Sequence, residues 1–391
     1  MHCAPSISDR PRLASSFILS LVAGLLSISA WAQAESDQRD ADELDSGVAY
    51  NIEVIADDLD YPWSLGFLPN GDLLVTERTG QLRLIRDGQL LAEPVAGVPD
   101  VFASSQGGLM GLLIDPEFEQ NQTIYLSLAH GTAEANATRV VRARLNERAL
   151  SDVEILFTAE PTKDTPVHYG GRMTWLGDGT MVIGLGDGFD YREQAQRLDT
   201  HFGSIVRINP DGSIPPDNPF IGQADALPEI HSYGHRNIQG LVFDAETGTL
   251  WQHEHGPRGG DELNRIEPAQ NYGWPVATHG IDYSGALISP YESRPDMVDP
   301  LWVWTPSIAP SGMTLYRGGE FPEWNGDLLV TALVSRNVRR MDLEDGEVVR
   351  EDTLFDDIGQ RLRDIRTAPD GSIYLLTDSS EGQLLRVTAS R

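Results

Sequence analysis

A short turn-and-strand unit recurs six times along the chain and limits its possible folds more than any other feature. The units span residues 69–85, 115–129, 177–188, 244–256, 324–343 and 368–387. Four of them contain Asn-Gly or Asp-Gly within their first four residues, and β-rich runs follow in all six. Because glycine accepts the positive φ angles of tight turns, these dipeptides between β-rich runs favour hairpins.

Six related units predict an all-β protein, and specifically a six-bladed β-propeller. A β-sandwich would not repeat one turn unit six times, and a β-helix would have a shorter and stricter period. The first two units start 46 residues apart and the last two 44 residues apart, which fits single blades. The longer intervals between the middle units predict insertions, and we expect functional loops there.

The N-terminus predicts export. Arg10 and Arg12 precede an apolar run and a small-residue cleavage pattern, typical of a secretory signal peptide over residues 1–34. An acidic, disordered leader is expected over 35–50 and the propeller over 51–391. The only cysteine, Cys3, lies in the signal peptide, so the mature protein has no disulfide. This pattern is typical of a protein exported to a bacterial periplasm. We expect no insertion of the mature chain into a membrane.

The net charge of -30 excludes some partners. An acidic surface repels nucleic acid and anionic membranes, because phosphate binding needs basic patches. Lys163 is the single lysine, so the remaining cationic side chains are arginines. Arginine is well suited to bidentate pairing with carboxylates.

Two polar clusters lie in the long middle segments. His168 precedes a Gly-Gly pair in HYGGRM and is a candidate general base, although it could equally cap a strand end. In YGHRNIQGL, Arg236, Asn237 and Gln239 either converge on one ligand or form a solvated polar loop.

Two further clusters suggest ion binding. His253 and His255 would share a strand face, as in a transition-metal site, but no third ligand has a motif spacing. The loop that follows, HGPRGGDE, is better suited to Ca²⁺, which prefers backbone and carboxylate oxygens. Arg361 and Arg363 in GQRLRDI would project to the same side of a strand, either as a clamp for a polycarboxylate or as a surface stripe.

Together, five motifs resemble a known family. They are HYGGR, DGSIPPDNPF, YGHRNIQGL, HGPRGGDE followed by NYGWP, and RLRDIRTAPDG. The chain is similar in these to the soluble periplasmic aldose sugar dehydrogenases that depend on pyrroloquinoline quinone (PQQ), relatives of soluble quinoprotein glucose dehydrogenase. The resemblance extends from about Tyr61 to the C-terminus and implies a six-bladed propeller. It also implies oxidation of aldoses at C1 to the lactone, with PQQ and Ca²⁺ as cofactors.

The resemblance assigns roles to particular residues. His168 corresponds to the base that takes the proton of the anomeric hydroxyl while hydride passes to the quinone. Arg236 and Asn237 correspond to groups that stabilise charge on the quinone oxygens. Further cofactor contacts implied by the resemblance are Gln106, Gln239, Tyr283, Arg361 and Arg363.

The Ca²⁺ ligands follow from the same resemblance. The backbone carbonyls of Gly256 and Pro257 are similar to those that hold the Ca²⁺ beside PQQ. Glu262 and Tyr272 fall in a segment that resembles a second, structural Ca²⁺ loop, where they would act as backbone ligands.

The chain departs from the family pattern at two positions. Val334 occupies the position where relatives have a lysine near the cofactor, and Arg336 could supply the cation from a shifted register. Val167, before the candidate base, replaces an aspartate of soluble glucose dehydrogenase. The sequence therefore leaves the affinity for PQQ open.

Two other functions remain as alternatives. One is a Ca²⁺-dependent propeller hydrolase of the lactonase type, and the other is a non-catalytic binding propeller. The preferred sugar, the electron acceptor and the choice between monomer and homodimer do not follow from the residues.

Overall fold

The protein is a β-propeller of six four-stranded antiparallel blades, which confirms the predicted fold class. The structure is a computed structural model and describes residues 48–390. The signal peptide predicted for 1–34, and all but the last three residues of the predicted leader, lie outside the described residues. Among residues 48–390 no helix is long and apolar enough to cross a bilayer.

The strands are numbered in chain order. Blades 1 and 2 contain β2 (Pro62–Phe67), β3 (Leu73–Glu77), β4 (Gln81–Arg86), β5 (Gln89–Leu90), and β6 (Leu109–Ile114), β7 (Thr123–Gly131), β8 (Asn136–Asn146), β9 (Ala149–Thr158). Blades 3 and 4 contain β10 (Gly170–Trp175), β11 (Met181–Leu185), β12 (Ser204–Ile208), β13 (Ile230–Tyr233), and β14 (Ile238–Asp244), β15 (Thr249–Glu254), β16 (Asp261–Ile266), β17 (Trp302–Trp304). Blades 5 and 6 contain β18 (Pro310–Leu315), β19 (Leu328–Ala332), β20 (Val338–Glu344), β21 (Glu347–Leu354), and β22 (Leu362–Thr367), β23 (Ile373–Thr377), β24 (Gly382–Ala389), β1 (Tyr50–Leu59).

Helical structure is confined to short connecting segments. The described residues contain one α-helical turn, α1 (Phe118–Asn121), and three 3₁₀ segments at Arg192–Gln196, Pro322–Trp324 and Asp356–Ile358.

The recurring sequence unit has one structural role. In every blade its turn joins the first strand to the second. In five blades an Asn or Asp side chain in this turn accepts the backbone N–H two residues further on, which stabilises the turn locally. In four blades a turn aspartate also pairs with an arginine on the third strand. These pairs are Asp72–Arg86, Asp178–Arg207, Asp327–Arg340 and Asp370–Arg386.

The N-terminal strand completes the last blade. β1 pairs antiparallel with β24, so blade 6 combines three strands from the C-terminal end with one from the N-terminal end. The first strands of neighbouring blades contact one another around a closed ring, from β2 through β22 and back to β2. Tyr50, the last residue of the predicted leader, already lies in β1.

Apolar side chains fill the space between blades. Leu74 and Leu84 of blade 1, for example, pack with Leu112, Leu126 and Leu128 of blade 2 in one buried cluster. Burial of such side chains contributes about 25 cal/mol per Å² of apolar surface, so the interfaces between blades stabilise the ring. The ring in turn presents the long loops of blades 3 and 4 at one site.

Candidate active site

A cavity of about 300 Å³ contains the predicted base. It is named here the histidine cavity, and the lining residues used below are His168, Asp187, Arg236, Pro257, Trp274 and Tyr283. His168 lies in the loop before β10, and Arg236 in the loop between β13 and β14. Three residues predicted separately from sequence, His168, Arg236 and Tyr283, therefore meet at one place.

The backbone and the ring of His168 are both fixed by hydrogen bonds. The residue has a left-handed φ of 53°, and its N–H donates to Gln106 Oε1 at 2.8 Å. Its Nδ1 lies 2.7 Å from Asp187 Oδ1. Because the carboxylate accepts the Nδ1 proton, Nε2 is left as the acceptor, and no protein group among residues 48–390 bonds to it.

Burial favours the neutral imidazole. It lowers the pKa of His168 below its usual value, and it outweighs the opposite effect of the Asp187 carboxylate. The side chain is therefore neutral at pH 7 and can accept a proton, as a general base must.

Asp187 is a site residue that the sequence analysis missed. Its Oδ1 also accepts the N–H of Phe189 at 2.7 Å, and its Oδ2 accepts Trp274 Nε1 at 2.8 Å. Burial alone would raise the pKa of Asp187, but the hydrogen bond with His168 and nearby positive charge keep it below the usual value. The residue stays ionised and orients the imidazole. In the sequence it was indistinguishable from a turn aspartate, since it stands in the repeated Asp-Gly pattern.

Arg236 places a fixed cation beside this pair. Its Nη1 donates to the carbonyls of His255 and Gly256 at 2.9 and 2.6 Å, and Nη2 lies 3.4 Å from the Tyr283 hydroxyl. The side chain is 3% exposed, so its geometry is set by the protein. Fixed donors of this kind can stabilise negative charge without reorganising.

A second cavity, of about 290 Å³, adjoins the first through the Arg236–Asn237 peptide. It is named here the arginine cavity. Its lining includes the remaining predicted cofactor contacts, which are Gln106, Asn237, Gln239, Arg361 and Arg363. It also includes Arg78, Asp378 and Trp63, which the sequence analysis did not select.

Arg361 and Arg363 share one carboxylate. Arg361 donates to Asp378 Oδ2 from Nε and Nη2 at 3.1 and 2.9 Å, and Arg363 Nη2 lies 3.2 Å from Oδ1. Burial raises the pKa of Asp378, but the two arginines outweigh it and the net shift is downward. The cluster is thus an ion network that lines a cavity, with buried Arg363 and Asp378 side chains and an exposed Arg361.

The two departures from the family pattern can be located. Val334 lines the arginine cavity and is 60% exposed. Arg336 is also exposed and donates to the Gly359 carbonyl at 3.4 Å, and it is not among the lining residues. The Arg336 guanidinium, which the sequence analysis offered in place of the missing lysine, therefore does not line the arginine cavity in this structure.

The loop predicted to hold Ca²⁺ lies at the histidine cavity. Pro257 lines it, whereas the Gly256 carbonyl accepts Arg236 Nη1. Ca²⁺ takes about six to eight oxygen ligands. The Pro257 carbonyl, with the lone pair of the Gly256 carbonyl that Arg236 leaves free, would supply one side of such a shell, and a cofactor and water would have to supply the rest. Across residues 48–390 no group of three or more His, Cys, Asp or Glu side chains could hold a metal.

The second predicted Ca²⁺ segment contains two facing carboxylates. Glu262 of β16 lies directly opposite Glu254 of β15 and is bordered by Val303 on the other side. Burial, followed by the charge of Glu254, raises the pKa of Glu262 well above its usual value. Tyr272 stacks on His235 with a centroid distance of 4.7 Å, and His235 Nδ1 lies 3.2 Å from Glu254.

This geometry changes the predicted ligand atom. Glu262 was expected to bind Ca²⁺ through its backbone carbonyl. However, Glu262 lies inside a strand with a neighbouring strand on each side, so its backbone groups are used in the hydrogen bonds of the sheet. Its carboxylate is the better ligand, because a cation would relieve the repulsion between two buried acids. The Tyr272 carbonyl accepts no backbone hydrogen bond among the described residues, which fits a ligand role.

The zinc alternative for the two histidines finds no support. His253 is fully buried, and its ring nitrogens lack partners among residues 48–390. His255 Nε2 instead lies 2.7 Å from the Pro310 carbonyl. The two rings do not combine with a third ligand into one site.

Comparisons with known proteins agree with this picture. The family model described as glucose/sorbosone dehydrogenase matches residues 59–386. The chain is 42% identical to the aldose sugar dehydrogenase YliI of Escherichia coli over 346 residues, covering 86% of this chain and 92% of that protein.

Two solved structures extend the comparison. One is the apo form of the soluble aldose sugar dehydrogenase of Escherichia coli, with a TM-score of 0.85, 41% identity and coverage of 88% of this chain and 100% of that one. The other is a PQQ-bound aldose sugar dehydrogenase of Streptomyces coelicolor, with a TM-score of 0.72, 26% identity and coverage of 88% and 99%. The chain belongs to the glucose/sorbosone dehydrogenase family.

Proposed function

We propose that the protein is an exported, periplasmic PQQ-dependent aldose sugar dehydrogenase that oxidises C1 of an aldose to the lactone. The observation that carries this proposal is the neutral His168 paired with ionised Asp187, facing a cavity that adjoins a cluster of arginines. The names of the Escherichia coli and Streptomyces coelicolor relatives support the same activity and cofactor.

His168 would act as the base. Its Nε2 takes the proton of the C1 hydroxyl, and Asp187 stabilises the imidazolium that forms. Arg236 then provides positive charge where negative charge develops, and the carbonyls of His255 and Gly256 hold it in place. Bound PQQ would supply the quinone that accepts hydride from C1.

The arginine cavity fits the carboxylates of PQQ. Arg361 and Arg363 are held by Asp378 at one end of the cavity. Gln106 is fixed by accepting the N–H of His168, so its amide nitrogen remains available as a donor. Asn237 and Gln239 add polar groups between the two cavities.

Ca²⁺ is assigned to two places in this proposal. Gly256 and Pro257 would hold the ion that polarises the quinone, and Glu262 with Tyr272 would hold a structural ion. A lactonase-type hydrolase would need a metal held by several acidic or amide side chains in the central channel. Residues 48–390 contain no group of three or more His, Cys, Asp or Glu side chains that could hold a metal, which favours the dehydrogenase over the hydrolase.

Reconstitution tests the function. The purified mature protein is mixed with PQQ and Ca²⁺, and reduction of an artificial dye is followed on adding aldoses. We expect reduction that depends on the sugar, PQQ and Ca²⁺ together. If PQQ binds but no aldose is oxidised, the activity is wrong, and if PQQ does not bind, the protein is a binding propeller or a hydrolase.

Asp187 is expected to be needed for turnover. The Asp187→Asn variant keeps the shape but removes the charge that stabilises protonated His168, so we expect kcat to fall by about 100-fold or more. Stopped-flow dye reduction with saturating sugar measures this. Asp225→Asn makes the same chemical change at an exposed position that lines neither cavity. A kcat for Asp187→Asn equal to that of Asp225→Asn would contradict the assigned role.

Glu262 is expected to be needed for the response of stability to Ca²⁺. Ca²⁺ at about 100 times its Kd should stabilise the unmodified protein by about 2.7 kcal/mol, which raises Tm by roughly 5 °C. In Glu262→Gln this shift should disappear, because the ligand charge is lost. Differential scanning calorimetry with and without chelator measures the shift. The exposed Glu347→Gln serves as control, and a full Ca²⁺ response in Glu262→Gln would rule out the site.

A further inference from the structure

The arginine cavity has an unbalanced charge. Arg78, Arg361 and Arg363 line it together with a single carboxylate, that of Asp378. His255 also lines it, with its Nε2 held 2.7 Å from the Pro310 carbonyl. The formal excess is two positive charges, in a chain whose net charge is -30. Such a cavity selects an anion with more than one carboxylate.

Two of the three arginines are already paired within the protein. Arg361 makes two hydrogen bonds to Asp378 and a third, at 3.3 Å, to the Leu333 carbonyl. Arg363 contacts the same carboxylate and lies 3.5 Å from Gln239 Oε1. Asp378 therefore neutralises much of their combined charge before any ligand enters.

The head group of Arg78 is the exception. It makes no hydrogen bond and no ion pair with any protein group of residues 48–390, and its protein contact is the face of Tyr61, 4.5 Å from the ring centroid. The residue is half-buried. An arginine held over an aromatic ring has a restricted head group with its N–H donors still unused.

The backbone of Arg78 is nevertheless fixed. Its N–H donates to the Tyr61 carbonyl at 3.0 Å, and its carbonyl accepts Leu109 N at 3.2 Å. Gly108, with φ of 146°, approaches so closely that a Cβ there would lie 1.8 Å from the Arg78 oxygen. Tyr61 N in turn donates to the carbonyl of Ser379, the residue after Asp378. The unpaired guanidinium is thereby held beside the Arg361–Asp378–Arg363 network.

We propose that Arg78 is the main ionic contact for a carboxylate of the bound cofactor, and that it supplies the cation missing at Val334. This inference rests on the proposed function, because the ligand it names is PQQ. Arg78 has five unused N–H donors and can pair with a carboxylate in bidentate fashion. Arg336, the other candidate, is exposed, donates to Gly359 and does not line the cavity.

Binding of PQQ to three variants tests the proposal without using activity. Arg78→Met keeps a long apolar side chain without the charge, Arg78→Lys keeps the charge, and Arg336→Met is the matched control. Equilibrium dialysis with saturating Ca²⁺ gives the Kd for PQQ. Since the Arg78 head group makes no hydrogen bond among residues 48–390, we expect both Arg78 variants to keep nearly the parent melting temperature. Arg336→Met removes only an exposed 3.4 Å hydrogen bond to Gly359 and should also stay close to it.

We expect Arg78→Met to raise the Kd at least tenfold, which is about 1.4 kcal/mol. Arg78→Lys should stay within about fourfold of the parent, and Arg336→Met within about twofold. A Kd for Arg78→Met within twofold of the parent, while the parent binds PQQ, overturns the inference and leaves the proposed function intact. Equal losses in Arg78→Met and Arg78→Lys also overturn it, because shape rather than charge would then matter. A parent protein that binds no PQQ refutes the proposed function, and this inference with it.

Discussion

Replacing His168 is expected to remove turnover while leaving cofactor binding in place. In His168→Ala no group remains at the Nε2 position to take the C1 proton, and general bases contribute about 10²- to 10⁴-fold. We therefore expect kcat for aldose oxidation to fall by about that factor. The Kd for PQQ should change by less than about threefold, because the ring faces the histidine cavity and the predicted carboxylate contacts line the arginine cavity.

The pH dependence adds a second test. The base acts when it is neutral, and burial lowers the pKa of His168 below 6.5. The neutral form is therefore present at pH 7 and is lost only as the pH falls through that lowered pKa. We expect kcat of the parent to be flat from about pH 7 to 9 and to decrease in acid. The residual kcat of His168→Ala should not show this decrease at low pH.

Two further variants show whether a loss of turnover comes from the missing base or from a disturbed structure. His168→Gln can still donate to Asp187, so the buried carboxylate keeps a partner, but the amide cannot take a proton. It should lose as much kcat as His168→Ala. His130→Ala, at an exposed position, should match the parent. Turnover of sugar at the parent rate in either His168 variant would refute the mechanism.

The fold could be predicted from sequence because its main determinant is local. In five of the six repeated turns an Asn or Asp accepts the backbone N–H two residues further on, so the same chemistry recurs where the first and second strands of these blades meet. Ring closure could not be predicted in this way. The pairing of Tyr50 with Ala389 joins opposite ends of the chain, and no residue pattern in either segment specifies the partner.

The site was predictable only in part, for a related reason. His168 and Arg236 were selected from motifs and Tyr283 from the family resemblance, and the structure brings them to one cavity. Asp187 and Arg78 were missed because their role depends on neighbours far along the chain. Asp187 lies 19 residues from His168 and resembles any turn aspartate. Arg78 follows an ordinary strand, and its unused donors become apparent only when the pairing of Arg361 and Arg363 is known.

Arg172 is expected to be the most important single side chain for stability. It is 3% exposed and joins four inner strands near the propeller axis. Nε donates to the Gln239 carbonyl at 2.7 Å, and Nη2 to the carbonyls of Ser311 and Arg363 at 2.8 and 3.0 Å. Nη1 lies 2.9 Å from Asp364 Oδ1. The guanidinium also stacks on Trp63 at 4.0 Å.

Removing this charge leaves three carbonyls without their donor, and the buried Asp364 carboxylate keeps the Leu65 N–H at 3.0 Å and Arg366 at 3.4 Å but loses its closest cation. We expect Arg172→Met to lower the free energy of unfolding by about 3 to 5 kcal/mol. Urea unfolding followed by tryptophan fluorescence measures the change. Arg386→Met breaks a pair with Asp370 at the surface and should cost at most about 1 kcal/mol.

The double variant separates the two contributions to this loss. In Arg172→Met with Asp364→Leu the buried carboxylate is removed as well, so part of the stability should return if that carboxylate caused the loss. The return should be incomplete, because the Leu65 N–H and Arg366 also lose Asp364 as a partner. Because Arg172 also positions the backbone of Gln239 and Arg363, PQQ affinity should stay reduced even when stability recovers. A loss of less than 1 kcal/mol in Arg172→Met would mean that the apolar interfaces between blades, rather than this axial network, hold the ring together.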